Sequence, residues 1–289
     1  MPELPVVENV VRGLAPFLTG RRFISVKILN PAIVKAGAEG FENRVIGRSI
    51  SRVVRRGKYI ILHLQEGICL IFHLGMTGKL YFSAASDPTE RHTHLIFTVE
   101  ALTRQLRHVD SRRFGGAYLV DTTELERFER LRRLGPEPLE LDFPDFAQLF
   151  KNRRARVKAL LLDQGILAGL GNIYCDESLH RAGIHPCRLA STLRQEELLR
   201  LFVQMRRILL QAIAQGGSSI SDYVDAEGYR GQYQRYYRVY GREGEPCKVK
   251  GCGGSIRRLP VAGRSSHYCP QCQRLRVRRV VSRSRRLIS

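Results

Sequence analysis

The sequence predicts an α+β protein of two domains: a β-sandwich domain with one leading helix, then a helical domain that ends in a four-cysteine β-hairpin. Three observations carry this reading. Short β-rich runs punctuated by Gly, Pro, Asn and Asp fill residues 23–120. Helical apolar spacing replaces them after residue 143. Four cysteines then gather between positions 247 and 272.

In chain order, a helix is expected over about 6–18, followed by strands at 24–29, 51–54, 59–64, 68–73, 80–82, 94–99 and 116–120. Their partial period-two alternation fits a sandwich or barrel. Residues 121–143 turn polar and Pro-bearing, with Gly135-Pro136-Glu137-Pro138 as the clearest breaker, and form the expected linker. Helices are expected at 146–163, 172–183 and 193–215, the last closed by Gly216-Gly217. The expected division is therefore 1–120, linker 121–143, helical domain 144–237, cysteine module 238–273 and a basic tail 274–289, expected to be disordered.

A chain of 289 residues with 43% hydrophobic residues can bury a core. Its 48 Lys+Arg against 27 Asp+Glu leave a formal charge of +21, which calls for a polyanionic partner, and nucleic acid fits best. An anionic membrane could use the charge too, but the longest apolar stretch, 59–76, is interrupted by His63, Gln65, Glu66 and His73 and cannot span one as a helix. No secretory leader is evident, so a cytoplasmic location is expected. Cys69, Cys175 and Cys187 stand singly and read as buried small hydrophobes, whereas paired cysteines in a reducing cell point to metal.

Cys247-x4-Cys252 and Cys269-x2-Cys272, 16 residues apart, have the two-knuckle spacing that closes four thiolates around one structural Zn²⁺. Gly251, Gly253 and Gly254 supply the tight bends. The metal would hold together a segment too small for its own core. The intervening hairpin, 255–268, carries Arg257, Arg258 and Arg264 and suits a groove or a phosphate. His267 is a weaker ligand candidate, because four thiolates already complete the shell.

The chain opens Met1-Pro2-Glu3-Leu4-Pro5. Removal of Met1 would leave a secondary amine at Pro2. An α-amino group titrates near pH 8, against about 10.4 for Lys, so part of it is nucleophilic at neutral pH without deep burial. Attack on an aldehydic sugar carbon gives an iminium ion, which acidifies the neighbouring C–H and lets phosphate leave. Glu3 could protonate the sugar ring oxygen or shuttle protons if burial raises its pKa. Many proteins begin Met-Pro, and the N-terminus alone decides nothing.

Taken together, Pro2-Glu3-Leu4-Pro5, Arg55-Arg56-Gly57-Lys58-Tyr59, His73-Leu74-Gly75-Met76, Asp110-Ser111-Arg112-Arg113-Phe114-Gly115, Leu134-Gly135-Pro136-Glu137-Pro138, Gly169-Leu170-Gly171-Asn172-Ile173-Tyr174 and the cysteine module resemble the formamidopyrimidine-DNA glycosylase family. The resemblance runs from Pro2 to Cys272, and Leu4 and Pro5 favour this branch over the endonuclease VIII branch. It implies a β-sandwich catalytic domain, a helix-two-turn-helix DNA-binding domain and a cleft for damaged duplex DNA with a flipped base. The implied activity is removal of oxidised purines, 8-oxoguanine and formamidopyrimidines, with β,δ-elimination at the abasic sugar. By motif position, Pro2 resembles the Schiff-base nucleophile, Glu3 the general acid, Lys58 the proton donor of β-elimination and Arg264 that of δ-elimination.

Met76, Arg112 and Phe114 match the residues that fill the hole left by the extruded base, although Met76 and Phe114 alone would read as core packing. His92, Arg112, Arg153 and Asn172 fall where the family contacts phosphates, and Lys158 lies in the same expected basic helix. The run 151–158 has five cations in eight residues, as a phosphate-binding or a solvated face would. Asn172 could equally cap a helix beginning at Ile173. The lesion-covering loop is expected within 218–237, where Tyr223, Tyr229, Tyr233 and Tyr236 could stack on a base or pack internally.

Two departures from the family pattern stand out: Val6 replaces a usual acid while Glu8 is retained, and the tail beyond Cys272 has no counterpart. The seven Arg of that tail could add DNA affinity or form a solvated appendage. The expected protein is a monomeric glycosylase with lyase activity. The alternatives are an endonuclease VIII-type enzyme for oxidised pyrimidines and a non-catalytic zinc-finger DNA-binding protein.

Overall fold

The computed structural model describes residues 2–219 and 225–275. Helix α1 (Leu4–Leu18) opens the chain, followed by β1 (Phe23–Ile28), β2 (Val34–Ala36), α2 (Phe41–Val45), β3 (Ile50–Arg56), β4 (Tyr59–Leu64), β5 (Ile68–His73), β6 (Lys79–Ala84), β7 (Thr93–Val99), β8 (Arg104–Val109) and β9 (Gly116–Asp121). The strands form two sheets, β1-β7-β8-β6 and β2-β9-β5-β4-β3, antiparallel except where β2 runs parallel to β9. Phe23, Leu62, Phe72, Leu80 and Phe97 meet between them, and α1 adds Val7, Val10 and Leu14 to the same core.

Two strands were not expected. The three residues of β2 are too few to show a pattern. β8 reads Arg-Gln-Leu-Arg-His-Val, yet its last four residues are buried. Arg107 tolerates burial because its guanidinium donates to the carbonyls of Ala84, Asp87 and Pro88.

The helical half contains α3 (Glu129–Arg132), α4 (Phe143–Gln148), α5 (Val157–Leu162), α6 (Asn172–Ala182) and α7 (Gln195–Ala214). The single helix expected over 146–163 is two helices. Asn152 sits at φ +59, Arg156 is extended, and the Arg153 and Ala155 carbonyls accept from Ser191 and Ala190 instead of continuing a helix. Residues 151–156 offer no large apolar side chain to bury, so nothing pulls a helix across them. Leu4 belongs to the helical core with Phe146, Leu170, Tyr174 and Met205, so the first residues of α1 join the two halves.

Strands β10 (Arg257–Val261) and β11 (Arg264–Tyr268) form the terminal hairpin. Its two-residue turn, Ala262-Gly263, has φ of +50 and +70, the geometry that matches strand twist. Tail residues 276–289 and Tyr223 lie outside the described residues. Among the described residues no helix is long and apolar enough to cross a membrane.

Candidate active site and DNA-facing cleft

The N-terminal segment enters the helical half through two glycines. Leu4 N–H donates to Gly169 O at 3.0 Å. A Cβ on Gly169, whose φ is +87, would come within 2.8 Å of Leu4, and one on Gly171 within 2.4 Å of the Glu3 carboxyl carbon. Only glycine lets the two chains approach this closely.

Glu3 thereby reaches the start of α6. Its carboxylate accepts from the amides of Gly171 at 2.9 Å and Ile173 at 3.0 Å, with Tyr174 at 3.4 Å. Burial pushes its pKa above the ordinary carboxylate value, and nearby Lys58 and the α6 amides only partly offset this. A carboxyl group in this setting holds a proton more readily than a surface Glu does. Asn172 is the first residue of α6 rather than its cap; its amide donates to Ser265 O at 2.9 Å.

Lys58 follows Gly57 in the β3–β4 turn, where Gly57 has φ +56 and donates to Glu137 at 2.6 Å. Glu137 also takes Arg55 at 2.6 Å and Arg56 at 3.1 Å, so the Pro-Glu-Pro segment that read as a breaker is an anchor for this turn. Lys58 is 5% exposed and makes no ion pair or hydrogen bond among the described residues. Burial lowers its pKa, partly countered by Glu3.

Pro2, Glu3, Lys58, Met76, Asn172 and Arg264 line one cavity of about 350 Å³. Gln164, Ser218 and Tyr240, which sequence reading did not single out, complete its wall. Gln164 donates to Leu162 O and Leu170 O and accepts from Gly169 N, buckling the loop that holds Leu4. A second, open cavity of about 760 Å³ shares Lys58 and Gln164 and adds His73, Arg130 and Arg133 together with the acids Glu129 and Asp163.

Met76 is 38% and Phe114 58% exposed, too much for core residues. Arg112 lies over the Phe114 ring at 4.5 Å. Their loops are held by buried Asp110, which accepts from Thr77, Gly115 and the Arg112 amide. His92, at φ +72, is exposed beside a smaller cavity also lined by Pro2 and Met76, and Arg153 is exposed on the 151–156 connection.

Lys158 corrects the expectation. It is fully buried, pairs with Asp176 at 2.7 Å and donates to Ser265 O at 2.9 Å, so it holds the hairpin instead of facing a phosphate. Asp176 also accepts from Ser266 Oγ and His267 N, while Glu177 accepts from the amides of Arg238, Val239 and Tyr240. These contacts bring Arg264, just beyond the turn, to the cavity. Tyr233 is a core residue, with Tyr236 stacked on it, whereas Tyr229 is exposed.

The Sγ atoms of Cys247, Cys252, Cys269 and Cys272 lie within 4.8 Å of one another, with contacts of 3.3, 3.5 and 3.8 Å. A tetrahedron with Zn–S of about 2.3 Å has edges near 3.8 Å, so the residues fit the ion. Gly251 and Gly253 take the expected left-handed turns. His267 turns its ring toward Asp176 and is not in the cluster.

A cavity that joins Pro2, a buried carboxyl whose pKa is raised, a buried amine and the Arg264 guanidinium, flanked by exposed cations, suits work on a nucleic-acid backbone. Comparison narrows this. The chain matches the models of the formamidopyrimidine-DNA glycosylase N-terminal domain over residues 1–117, the H2TH domain of the same enzymes over 134–224, and the zinc finger found in FPG and IleRS over 244–275. It is 44% identical to the formamidopyrimidine-DNA glycosylase of Pelotomaculum thermopropionicum, covering 96% of this chain and 100% of the relative. It is 47% identical to that of Solibacter usitatus, covering 95% and 100%.

Among solved structures, Lactococcus lactis Fpg with an abasic-site-containing DNA matches with a TM-score of 0.87 at 37% identity, covering 94% of this chain and 100% of that one. The wild-type Lactococcus lactis protein with an N7-benzyl-Fapy-dG-containing DNA gives 0.86 at 36% identity, covering 95% and 100%. The chain belongs to the formamidopyrimidine-DNA glycosylase family, and its four cysteines are a zinc-finger site for one structural zinc.

Proposed function

We infer that this DNA glycosylase of the formamidopyrimidine type removes oxidised purines, 8-oxoguanine and formamidopyrimidines, from duplex DNA, using Pro2 as its nucleophile once Met1 has gone. The observation that carries the reading is the meeting of Pro2, Glu3, Lys58 and Arg264 in one cavity, although they come from positions 2 to 264 of the chain. The neutral Pro2 nitrogen bonds to C1′ of the damaged nucleoside, the bond from C1′ to the base breaks with its electron pair leaving on the base, and the proton shed by the Pro2 nitrogen neutralises the departing base. Glu3, whose pKa burial raises, gives a proton to the sugar ring oxygen as the ring opens. The resulting iminium acidifies C2′; loss of that proton expels the 3′ phosphate, and a second elimination expels the 5′ phosphate. Lys58 serves proton transfer in the first elimination and Arg264 donates to the departing phosphate in the second.

Met76, Arg112 and Phe114 fill the space of the flipped nucleotide, the guanidinium offering its donor fork to the orphaned base. His92, Arg112, Arg153 and Asn172 contact phosphates, and the Arg-rich tail adds to the cation count. The protein acts as a monomer in the bacterial cytoplasm, with residues 1–120 as catalytic domain and 144–237 as DNA-binding domain.

Turnover on 8-oxoguanine:C and thymine-glycol:A duplexes tests the lesion class, and preference for the second would transfer the chain to the pyrimidine-specific alternative. Borohydride with lesion DNA should trap a covalent adduct, and Pro2→Gly should trap poorly. A native protein that binds lesion DNA and traps none of it would be a non-catalytic binder.

A further inference from the structure

We infer that His180 is a hydrogen-bond donor to Cys247, tying a metal-bound thiolate directly to helix α6 and setting how firmly the zinc is held. His180 Nε2 lies 3.6 Å from Cys247 Sγ, and the residue is 3% exposed. Among the described residues its Nδ1 is buried with no partner. A bare acceptor is less costly to bury than a bare N–H, so the ring hydrogen sits on Nε2 and points at the sulfur. A thiolate bound to zinc has no proton of its own to give, which leaves the ring as the donor.

The placement on α6 explains why this residue can do so. Asp176, Glu177 and His180 stand four and three residues apart, hence on one face of the helix. The first grips the backbone of β11 and the second the amides of residues 238–240. His180 completes the series by gripping a metal ligand itself. Drawing charge from the sulfur and fixing its direction are the two ways an outer partner stabilises a thiolate site. The inference rests on the zinc assignment and is independent of the Pro2 mechanism.

Metal analysis of the unmutated chain comes first: one zinc keeps the assignment, and none removes both it and this inference. His180→Phe should then bind zinc about 10–100-fold more weakly in chelator competition. With cobalt in place of zinc, the same variant should move the sulfur-to-metal charge-transfer band to lower energy. His180→Gln, which returns an N–H at the Nε2 position, should recover both. Unchanged zinc retention together with an unchanged cobalt spectrum in His180→Phe would overturn the inference. If that variant does not fold, the native sequence loaded with NMR-active cadmium decides. Scalar coupling between the metal and the His180 Nε2 proton supports the bond, and an uncoupled ring proton refutes it.

Discussion

Lys58 and Lys158 both bury an amine near the start of α6, but among the described residues Lys158 has a hydrogen-bonded partner and Lys58 has none. Lys158 lies at 2.7 Å from Asp176 and also bonds a carbonyl of β11, so its charge is fully committed to holding the zinc hairpin. For Lys58 burial lowers the pKa, the longer-range pull of Glu3 and Cys175 only partly counters this, and Arg264 adds to the lowering. A buried cation with a close carboxylate is a strut; a buried amine without one gives up its proton more easily and suits proton transfer. The pair therefore separates architecture from chemistry within one short stretch of the molecule.

Substitutions should keep these roles apart. Lys58→Gln is expected to slow nicking of a preformed abasic site by about 10²–10⁴-fold with little change in Tm, as read by gel assay and calorimetry. Equal nicking by the variant would end the proposed role. Lys158→Met should instead lower stability by about 3–5 kcal/mol in urea unfolding, since Asp176 would be left charged and buried. Adding Asp176→Leu should recover much of that loss, and a single variant as stable as the parent would show the strut to be dispensable.

A smaller effect is expected in the sandwich core, where buried His108 is held neutral and its pKa falls from 6.5 to about 4. The folded-state value is depressed, so the stability it protects is complete above pH 6.5 and is lost as pH falls toward 4, because only the unfolded chain takes up the proton. Between pH 7 and about 4.5 this amounts to about 2–3 kcal/mol, and His108→Phe should flatten that part of the stability profile.

The same contrast governs what the sequence reveals. Strands β4 and β5 are legible because, His63 and His73 apart, their own residues form apolar runs, and α6 and α7 because their spacing is helical. β8 is not, since Arg107 and His108 look like surface residues until three distant carbonyls and an aromatic cluster are in place. Pro2, Glu3, Lys58, Arg264 and the cysteines sit in motifs and can be read directly. The carboxylates that position them cannot. Glu137 serves Arg55 from 82 residues away and Asp176 serves His267 from 91, and no local window shows such pairings. Lys158 was misread for the same reason: its neighbours in sequence are exposed cations, whereas its partner in space is an acid.

In the proposed mechanism the chain end, and not the buried lysine beside it, bonds to the sugar. Peptide mapping of the borohydride-trapped complex tests this most directly. The expected product is a deoxyribose adduct on Pro2 with Met1 absent; an adduct on Lys58, or trapping at full yield in protein that keeps Met1, would overturn the mechanism.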